Sequence, residues 1–294
     1  MANVAQDVIN AVSLGSLYAL VALGIALIFG IMNLINFAHG QIIMLAGYTT
    51  LALAHVPWPV LIVTPLAVAV TCAVLMERVA FRPVRGADAS TLLITSFAVS
   101  YLLQNVVILV LSSTSRAVQL PALVTQSFIV RGVVIQKLDV IVIVVTAVSL
   151  VALAAFLKNT TLGVQMRAAA DDFQMARLLG VRANAVTTAA FAISGLLAGI
   201  VALIFVSQTG EVTPTMAVNL TLLGFVATVI GGMGSAPAAA IGGFLLGVVT
   251  VLLDIFLPYN LQPYRDAFVF AAVIAILLAR PQGLLRTGSA LGRA

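Results

Sequence analysis

The sequence predicts an all-α membrane protein, a polytopic bundle of about eight to ten transmembrane helices, some of them broken or re-entrant. Hydrophobic residues make up 62% of the 294 residues and charged residues only 8%, whereas soluble domains carry about 25% charge. The apolar residues form long continuous runs, not the alternating, roughly ten-residue segments of a β-barrel. Glycine-rich stretches interrupt two of these runs and predict the breaks.

Nine apolar runs are candidate spans, because a span needs about 20 apolar residues. They cover residues 8–32, 33–54, 57–80, 90–111, 138–157, 183–207, 216–233, 237–257 and 267–279. The glycine-rich breaks fall in 8–54 and 216–257, so a half-span is possible in either. Residues 1–294 therefore form one transmembrane domain. The start, MANVAQDVINAV, lacks a basic region and predicts no cleavable signal.

The net charge of +5 reflects orientation in the membrane and not nucleic-acid binding, because the basic residues lie at the ends of apolar runs. With nine spans, four basic residues fall on one side: Arg116, Arg131, Lys137 and Arg265. Ten fall on the other: Arg78, Arg82, Arg85, Lys158, Arg167, Arg177, Arg182, Arg280, Arg286 and Arg293. The positive-inside rule makes the second side cytoplasmic, with the N-terminus outside and the C-terminus inside.

Residues 158–182 form the one substantial polar interruption in the second half of the chain, and they predict two short helices. The first covers residues 163–170 and the second residues 173–179. Asp171 or Asp172 caps the second helix, and Gly180 follows at the usual left-handed position. An exposed Phe, Met and Leu surface beside arginine suits a groove on a partner protein. A helix lying on the membrane surface is the alternative.

Polar residues also fall between apolar runs near the N-terminal half-span, at Asn33, Asn36, His39 and Gln41. Polar groups at membrane depth are costly unless they face a cavity or another helix. The functional interpretation is a discontinuous helix that lines a substrate path. The alternative is a solvated cytoplasmic turn. His39 has no Cys, Asp or Glu at ligand spacing, so it predicts no metal site.

Two further polar features have both a functional and a structural interpretation. Gln104 and Asn105 lie midway along the fourth span, where they either line the pathway or form an interhelical hydrogen bond worth about 0.6 kcal/mol. The glycine-rich segment 231–243 predicts close helix packing or a turn at a gate. Its glycines singled out for these roles are Gly231, Gly232, Gly234, Gly242 and Gly243.

Residues 112–137 predict an extracytoplasmic segment with a small hairpin, because β-branched residues surround Gly132. The hairpin is either a docking surface for an extracytoplasmic partner or a plain cap over the bundle. No phosphate-binding loop and no nucleophile–base–acid set is visible in the sequence. The sequence therefore predicts a protein that is not an enzyme.

Four stretches resemble the permease subunits of branched-chain amino acid ABC importers: NLINFAHGQIIMLAGY, TTLGVQMRAAADDFQMARLLGV, GGMGSAPAAAIGG and RPQGLL. The resemblance spans nearly the whole chain. It implies a type II-like importer permease in a bacterial plasma (inner) membrane, with 158–182 as a cytoplasmic loop that couples to an ATPase. It places that contact at Arg167, Asp171, Asp172, Phe173, Met175, Arg177, Leu178, Leu179 and Gly180. The family frequently has Pro where Phe173 stands, so the helix break here depends on capping by Asp.

The resemblance also implies the partners: a second homologous permease subunit, two ABC ATPase subunits and an extracytoplasmic substrate-binding protein. This chain binds no cofactor itself, and ATP-Mg belongs to the ATPases. The implied substrates are leucine, isoleucine and valine; urea, short amides or other amino acids are alternatives within the family. A stand-alone secondary carrier is a further alternative, but it needs buried ionisable residues that these spans almost lack.

Overall fold

The computed structural model describes residues 2–118, 127–130, 133–280 and 283–284. In these residues the chain folds into apolar helices joined by short connections. The helices are α1 (Ala2–Met32), α2 (His39–Ala52), α3 (Trp58–Met76, continued by a π-helix Glu77–Phe81), α4 (Ala89–Leu111), α5 (Lys137–Asn159), α6 (Thr161–Asp171), α7 (Phe173–Leu178), α8 (Ala183–Thr209), α9 (Met216–Gly231), α10 (Ala236–Phe256) and α11 (Arg265–Ala279). A 3₁₀-helix, Tyr259–Tyr264, precedes α11.

Seven helices in the described residues are long and apolar enough to cross a membrane: α1, α3 with its π-helix, α4, α5, α8, α10, and α11 with its 3₁₀-helix. Two of the nine predicted spans are shorter helices, α2 and α9. Helix α2 follows the turn 33–38, and α9 ends at the glycine-rich turn that precedes α10. The all-α polytopic prediction is confirmed, and the assignment of half-spans stays a prediction.

Helix α1 is the centre of the bundle and packs against α5, α8, α9 and α10. The close approach to α10 depends on glycine. A Cβ added at Gly243 would lie 2.6 Å from the backbone of Ala19, a distance that side chains do not tolerate. Gly247 meets the backbone of Gly15 in the same way. Because Gly243 and Gly247 are four residues apart, they lie on one face of α10 and let it pack closely against α1.

The two ends of the bundle are distinguished by what they contain. The inner end is defined here by the loop 82–88 and by α6 and α7. There Leu27 and Ile31 of α1 pack against Met166 and Ala176. The outer end is defined by the strands. β2 (Ser127–Val130) and β3 (Val133–Gln136) form the predicted antiparallel hairpin. β1 (Arg116–Ala117) pairs with β4 (Glu211–Val212), which ties α4 to the end of α8.

The short helix α2 starts inside the bundle and not at its inner end. After α1 ends at Met32, residues 33–38 turn back, and α2 begins at His39 beside Gly24 of α1 and Ser194 of α8. Both neighbours lie in the middle parts of their helices. Helix α2 therefore begins within the bundle and runs towards the outer end, so it covers only part of the bundle's length.

Candidate functional site

The loop 158–182 has the two-helix structure that its sequence predicts, and its caps explain why. The Thr160 hydroxyl accepts a hydrogen bond from the backbone N–H of Gly163 at 2.9 Å and caps α6. The Asp172 carboxylate accepts hydrogen bonds from the N–H groups of Gln174 and Met175, each at 2.9 Å, and caps α7. Asp172, not Asp171, is thus the cap. It creates the helix break without proline.

Gly180 ends the two-helix segment in the predicted left-handed conformation, with φ of +90°. An L side chain is strained at this angle, so glycine lets the chain leave α7 and turn into α8. The cap at the start of α7 and the glycine after it fix a short helix between two sharp turns.

Helix α7 has one buried and one exposed side. Ala176 is buried in an apolar cluster that also contains Leu27, Ile31 and Val186. Phe173 is half-buried and packs against this cluster. The expectation of an exposed Phe173 is wrong, because its ring packs against this apolar cluster at the inner end. Met175, Leu178 and Leu179 are 53%, 82% and 80% exposed. This apolar surface is not buried against any other part of the described chain. Exposed charged residues lie nearby on α6 and α7: Arg167, Asp171 and Arg177.

A buried ion pair anchors the start of α8 next to α7, and sequence reasoning missed it. Glu77 is fully buried and pairs with Arg85 of the 82–88 loop. Arg85 also donates to the Asn184 side chain at 2.8 Å and to the Thr187 hydroxyl at 2.5 Å. The Thr188 hydroxyl donates to Glu77 at 3.0 Å. These bonds join α3, the 82–88 loop and the start of α8.

A second candidate site is the polar break, residues 33–41, where α2 begins. Asn36, His39 and Gln41 are all buried, whereas Asn33 is exposed and has a left-handed φ of +50°. The solvated-turn interpretation therefore fits Asn33 alone. The Asn36 side-chain oxygen accepts from the Ala38 N–H at 3.0 Å and closes the turn. The Gln41 amide donates to the Ser100 hydroxyl of α4 at 3.0 Å.

The hydrogen bonds of His39 fix which of its ring nitrogens carries the proton. Ser194 donates its single hydroxyl proton to the Gly24 carbonyl at 2.9 Å. Its oxygen, 3.1 Å from His39 Nδ1, must therefore accept from that nitrogen. A neutral ring then leaves Nε2 as a hydrogen-bond acceptor. The bond ties the start of α2 to the middle of α8.

Three buried polar atoms of the polar break have no hydrogen-bond partner within the described residues: Asn36 Nδ2, His39 Nε2 and Gln41 Oε1. Unpaired polar atoms in an apolar interior are costly, and a water or a polar ligand normally satisfies them. They include a donor, Asn36 Nδ2, and two acceptors. Unpaired buried polar atoms are what the pathway hypothesis requires, and the pathway role of the break stays a prediction.

The other predicted pathway residues have different surroundings. Asn105 is half-buried, and its amide donates at 2.7 Å to the Tyr101 carbonyl of its own helix, not to a neighbouring helix. Gln104 is half-buried and has no side-chain hydrogen bond within the described residues. Their pathway role stays a prediction.

The predicted glycines of 231–243 divide into two sets. Gly231 and Gly242 pack against each other where α9 and α10 meet, and Gly243 abuts α1. Gly232 and Gly234 have left-handed φ angles of +123° and +95° and form the turn between the two helices. The packing role has direct structural support, while the gate role stays a prediction. The described residues contain no cluster of three metal-binding side chains.

Comparisons with known proteins place these features in a family. Residues 8–277 match the model of the branched-chain amino acid transport system permease component. BraD of Pseudomonas aeruginosa, a high-affinity branched-chain amino acid transport system permease protein, is 35% identical over 95% of both chains. LivH of Escherichia coli, which has the same description, is 32% identical over 95% of this chain and 94% of its own. LsrC of Photorhabdus luminescens, an autoinducer 2 import permease, is 31% identical but over only 42% of this chain and 40% of its own. No solved structure matches significantly.

Proposed function

This chain belongs to the family of branched-chain amino acid transport system permease components, and we propose that it is the transmembrane subunit of an ABC importer for leucine, isoleucine and valine. The exposed Met175, Leu178 and Leu179 surface at the inner end carries the proposal. This surface makes α7 a docking helix for a separate ATPase. The substrate class follows from the printed names of BraD and LivH.

The complex contains this chain, a second homologous permease, two ABC ATPase subunits and an extracytoplasmic substrate-binding protein. ATP-Mg binds to the ATPases, and this chain binds no cofactor. The protein resides in a bacterial plasma membrane with its N-terminus outside and its C-terminus in the cytoplasm. The arginines that gather at the inner end support this orientation.

The mechanism follows from the connections between the two sites. Helix α7 docks on the ATPase and is joined by the 179–182 turn to α8. The Glu77–Arg85 network ties the same end of α8 to α3. ATP binding draws the ATPases together, α7 moves, and α8 tilts. Because Ser194 of α8 holds His39, the polar break changes its exposure when α8 tilts. The pathway then opens alternately to the two sides.

The break presents neutral polar groups and no charged clamp for a zwitterionic amino acid. Capture at low concentration is therefore the task of the binding protein, and the permease needs only a weak site. Asn36, His39 and Gln41 offer hydrogen bonds that a passing polar ligand can exchange for water.

A single purification tests the proposal. The chain is tagged, extracted from its native membrane in mild detergent, and its companions are identified. We expect an ATPase and a second permease to co-purify. Reconstituted with ATP and the binding protein, the complex should accumulate labelled leucine and not labelled urea. Urea uptake would reassign the substrate. A chain that purifies alone and needs an ion gradient would support the secondary-carrier alternative.

A further inference from the structure

A cleft at the inner end is lined by arginines from separate parts of the chain. Its volume is about 640 Å³, and it lies between the 82–88 loop, α7 and the start of α8. Arg82 and Arg85 line it from the loop, Arg177 from α7, and Arg182 from the residue before α8. We call it the arginine cleft. Phe173 forms part of its wall.

The positive charge of the arginine cleft is mostly uncompensated. Within the described residues, Arg82, Arg177 and Arg182 form no ion pair, and Glu77 neutralises Arg85 alone. The pKa of Arg85 is lowered, chiefly by burial. Glu77 opposes this shift, and the nearby charges of Arg82 and Arg177 add to it. Like charges gathered without partners repel one another, so an anion that enters the cleft gains attraction from several of them.

A groove continues from the arginine cleft along the membrane-spanning part of α8. It measures about 420 Å³ and shares Arg82, Asn184 and Ala185 with the cleft. Arg78 and Thr188 also line it, and further along α8 it reaches Ala189 and Ala192. At a rise of about 1.5 Å per residue, Ala192 lies roughly 14 Å along α8 from its first residue. The cleft and the groove are therefore adjacent, and the groove extends from the arginines to alanines within the spanning helix.

We propose that the arginine cleft and its groove bind one anionic phospholipid, with the phosphodiester among the arginines and an acyl chain along Ala189 and Ala192. Phosphate is a strong ligand for grouped arginines, and basic pockets between helices on the cytoplasmic side suit anionic headgroups. The alanines of the groove provide an apolar surface for the other half of the ligand. The bound lipid would bridge α3, α7 and α8 at the place where their movement must be coordinated.

The groove decides between a lipid and an acidic segment of the ATPase. An ATPase lies outside the bilayer, so its carboxylates can reach Arg177 and Arg182 but not Ala192 in the spanning part of α8. A lipid reaches both, because its headgroup lies at the interface and its chain inside the bilayer. This inference does not depend on the ATPase partnership, since lipid binding is measured on the purified chain whatever accompanies it.

Native mass spectrometry of the delipidated full chain tests the proposal, with phosphatidylglycerol and phosphatidylethanolamine added in separate titrations. We expect selective retention of phosphatidylglycerol. The double variant Arg82→Gln/Arg182→Gln should weaken it by about fivefold per arginine removed. Arg280→Gln, at the far end of α11, is the matched control and should change nothing. Arg82→Lys keeps the charge and should retain the preference even if the glutamine variant folds poorly.

Two further arms identify the ligand. Ala192→Phe fills the groove without altering the charge and should weaken phosphatidylglycerol while leaving binding of glycerol 3-phosphate unchanged. Glycerol 3-phosphate that binds as tightly as the whole lipid would overturn the proposal in favour of a free phosphate site. Unchanged lipid retention in Arg82→Gln/Arg182→Gln, accompanied by loss of the co-purifying ATPase, would overturn it in favour of a protein contact.

Discussion

The 158–182 loop and the polar break at 33–41 both interrupt apolar spans, yet their polar groups have opposite surroundings. In the loop, Met175, Leu178 and Leu179 are exposed, and the polar groups are solvated or cap helices. In the break, Asn36, His39 and Gln41 are buried, and each has an unpaired polar atom. An exposed apolar surface beside charge implies an external partner, whereas buried unpaired polar atoms imply a transient internal one. Helix α8 joins the two regions.

The largest effect is expected at the buried ion pair that anchors α8 beside the loop. Arg85→Ala leaves Glu77 buried without a counter-charge and should destabilise the fold by about 3–5 kcal/mol. Thermal unfolding in detergent measures this as a drop in Tm on the order of 10 °C. The double variant Glu77→Leu/Arg85→Leu should recover most of the loss. If Arg85→Ala melts like the wild type, the network does not connect the two regions.

The next effect concerns the exposed surface of α7. Leu178→Asp should reduce ATPase binding by about 30-fold, because burying an exposed leucine side chain in an interface contributes on the order of 2 kcal/mol. Uptake of leucine should fall with it, while the amount of chain in the membrane stays the same. Gln174→Ala, also exposed on α7, is the control. Leu178 is a sharper test than Phe173, which is half-buried and also supports the fold. Normal uptake by Leu178→Asp would remove the loop from the coupling role.

A smaller effect is expected at the polar break. His39→Ala removes the hydrogen bond to Ser194 and the Nε2 acceptor, which should cost about 1–2 kcal/mol and lower uptake by roughly tenfold. Asn36→Ala should also lower uptake. Gln104→Leu is the control and should remain within about twofold, because its side chain makes no hydrogen bond in the described structure. Equal uptake by all three variants would show that the break only packs the bundle.

The smallest effect distinguishes two neighbouring aspartates. Asp172→Ala removes the cap of α7 and should cost about 1 kcal/mol, which shortens or frays the docking helix and lowers uptake a few-fold. Asp172→Asn can still cap and should be nearly normal. Asp171→Ala, which caps nothing, is the matched control. A deficit in Asp171→Ala equal to that in Asp172→Ala would mean that charge, not helix capping, matters here.

The sequence predicts the loop better than the break, and the reason is the range of the interactions. Caps and a left-handed glycine act within a few residues, so Asp172 and Gly180 reveal the two-helix structure locally. The burial of the break depends on Ser194 and Gly24, which are distant in the chain. The hydropathy of a sequence does not show how deep a polar segment lies in the folded bundle. Residues 33–41 therefore fit both a solvated turn and a pathway.

Two features of the inner end could not be predicted from the sequence, because they too depend on contacts between distant residues. Glu77 and Arg85 read as ordinary charges at a helix end, and only the fold turns them towards each other and towards Thr187 and Thr188. Phe173 has the spacing of an exposed contact, but it packs against the apolar cluster at the inner end. A carboxylate within two turns of an apolar helix end, followed by arginine in the next loop, is the available signal for such an anchor.

Site-specific cross-linking tests the central claim, that α7 contacts the ATPase, most directly. The single cysteine of the chain, Cys72, is first replaced by serine. Leu178→Cys is then cross-linked in native membranes. Phe256→Cys is the control, since Phe256 is 78% exposed at the outer end of α10. We expect an adduct between Leu178→Cys and an ATPase subunit, and none from Phe256→Cys. If ATP-driven uptake persists and Leu178→Cys gives no such adduct, the loop is not the coupling element.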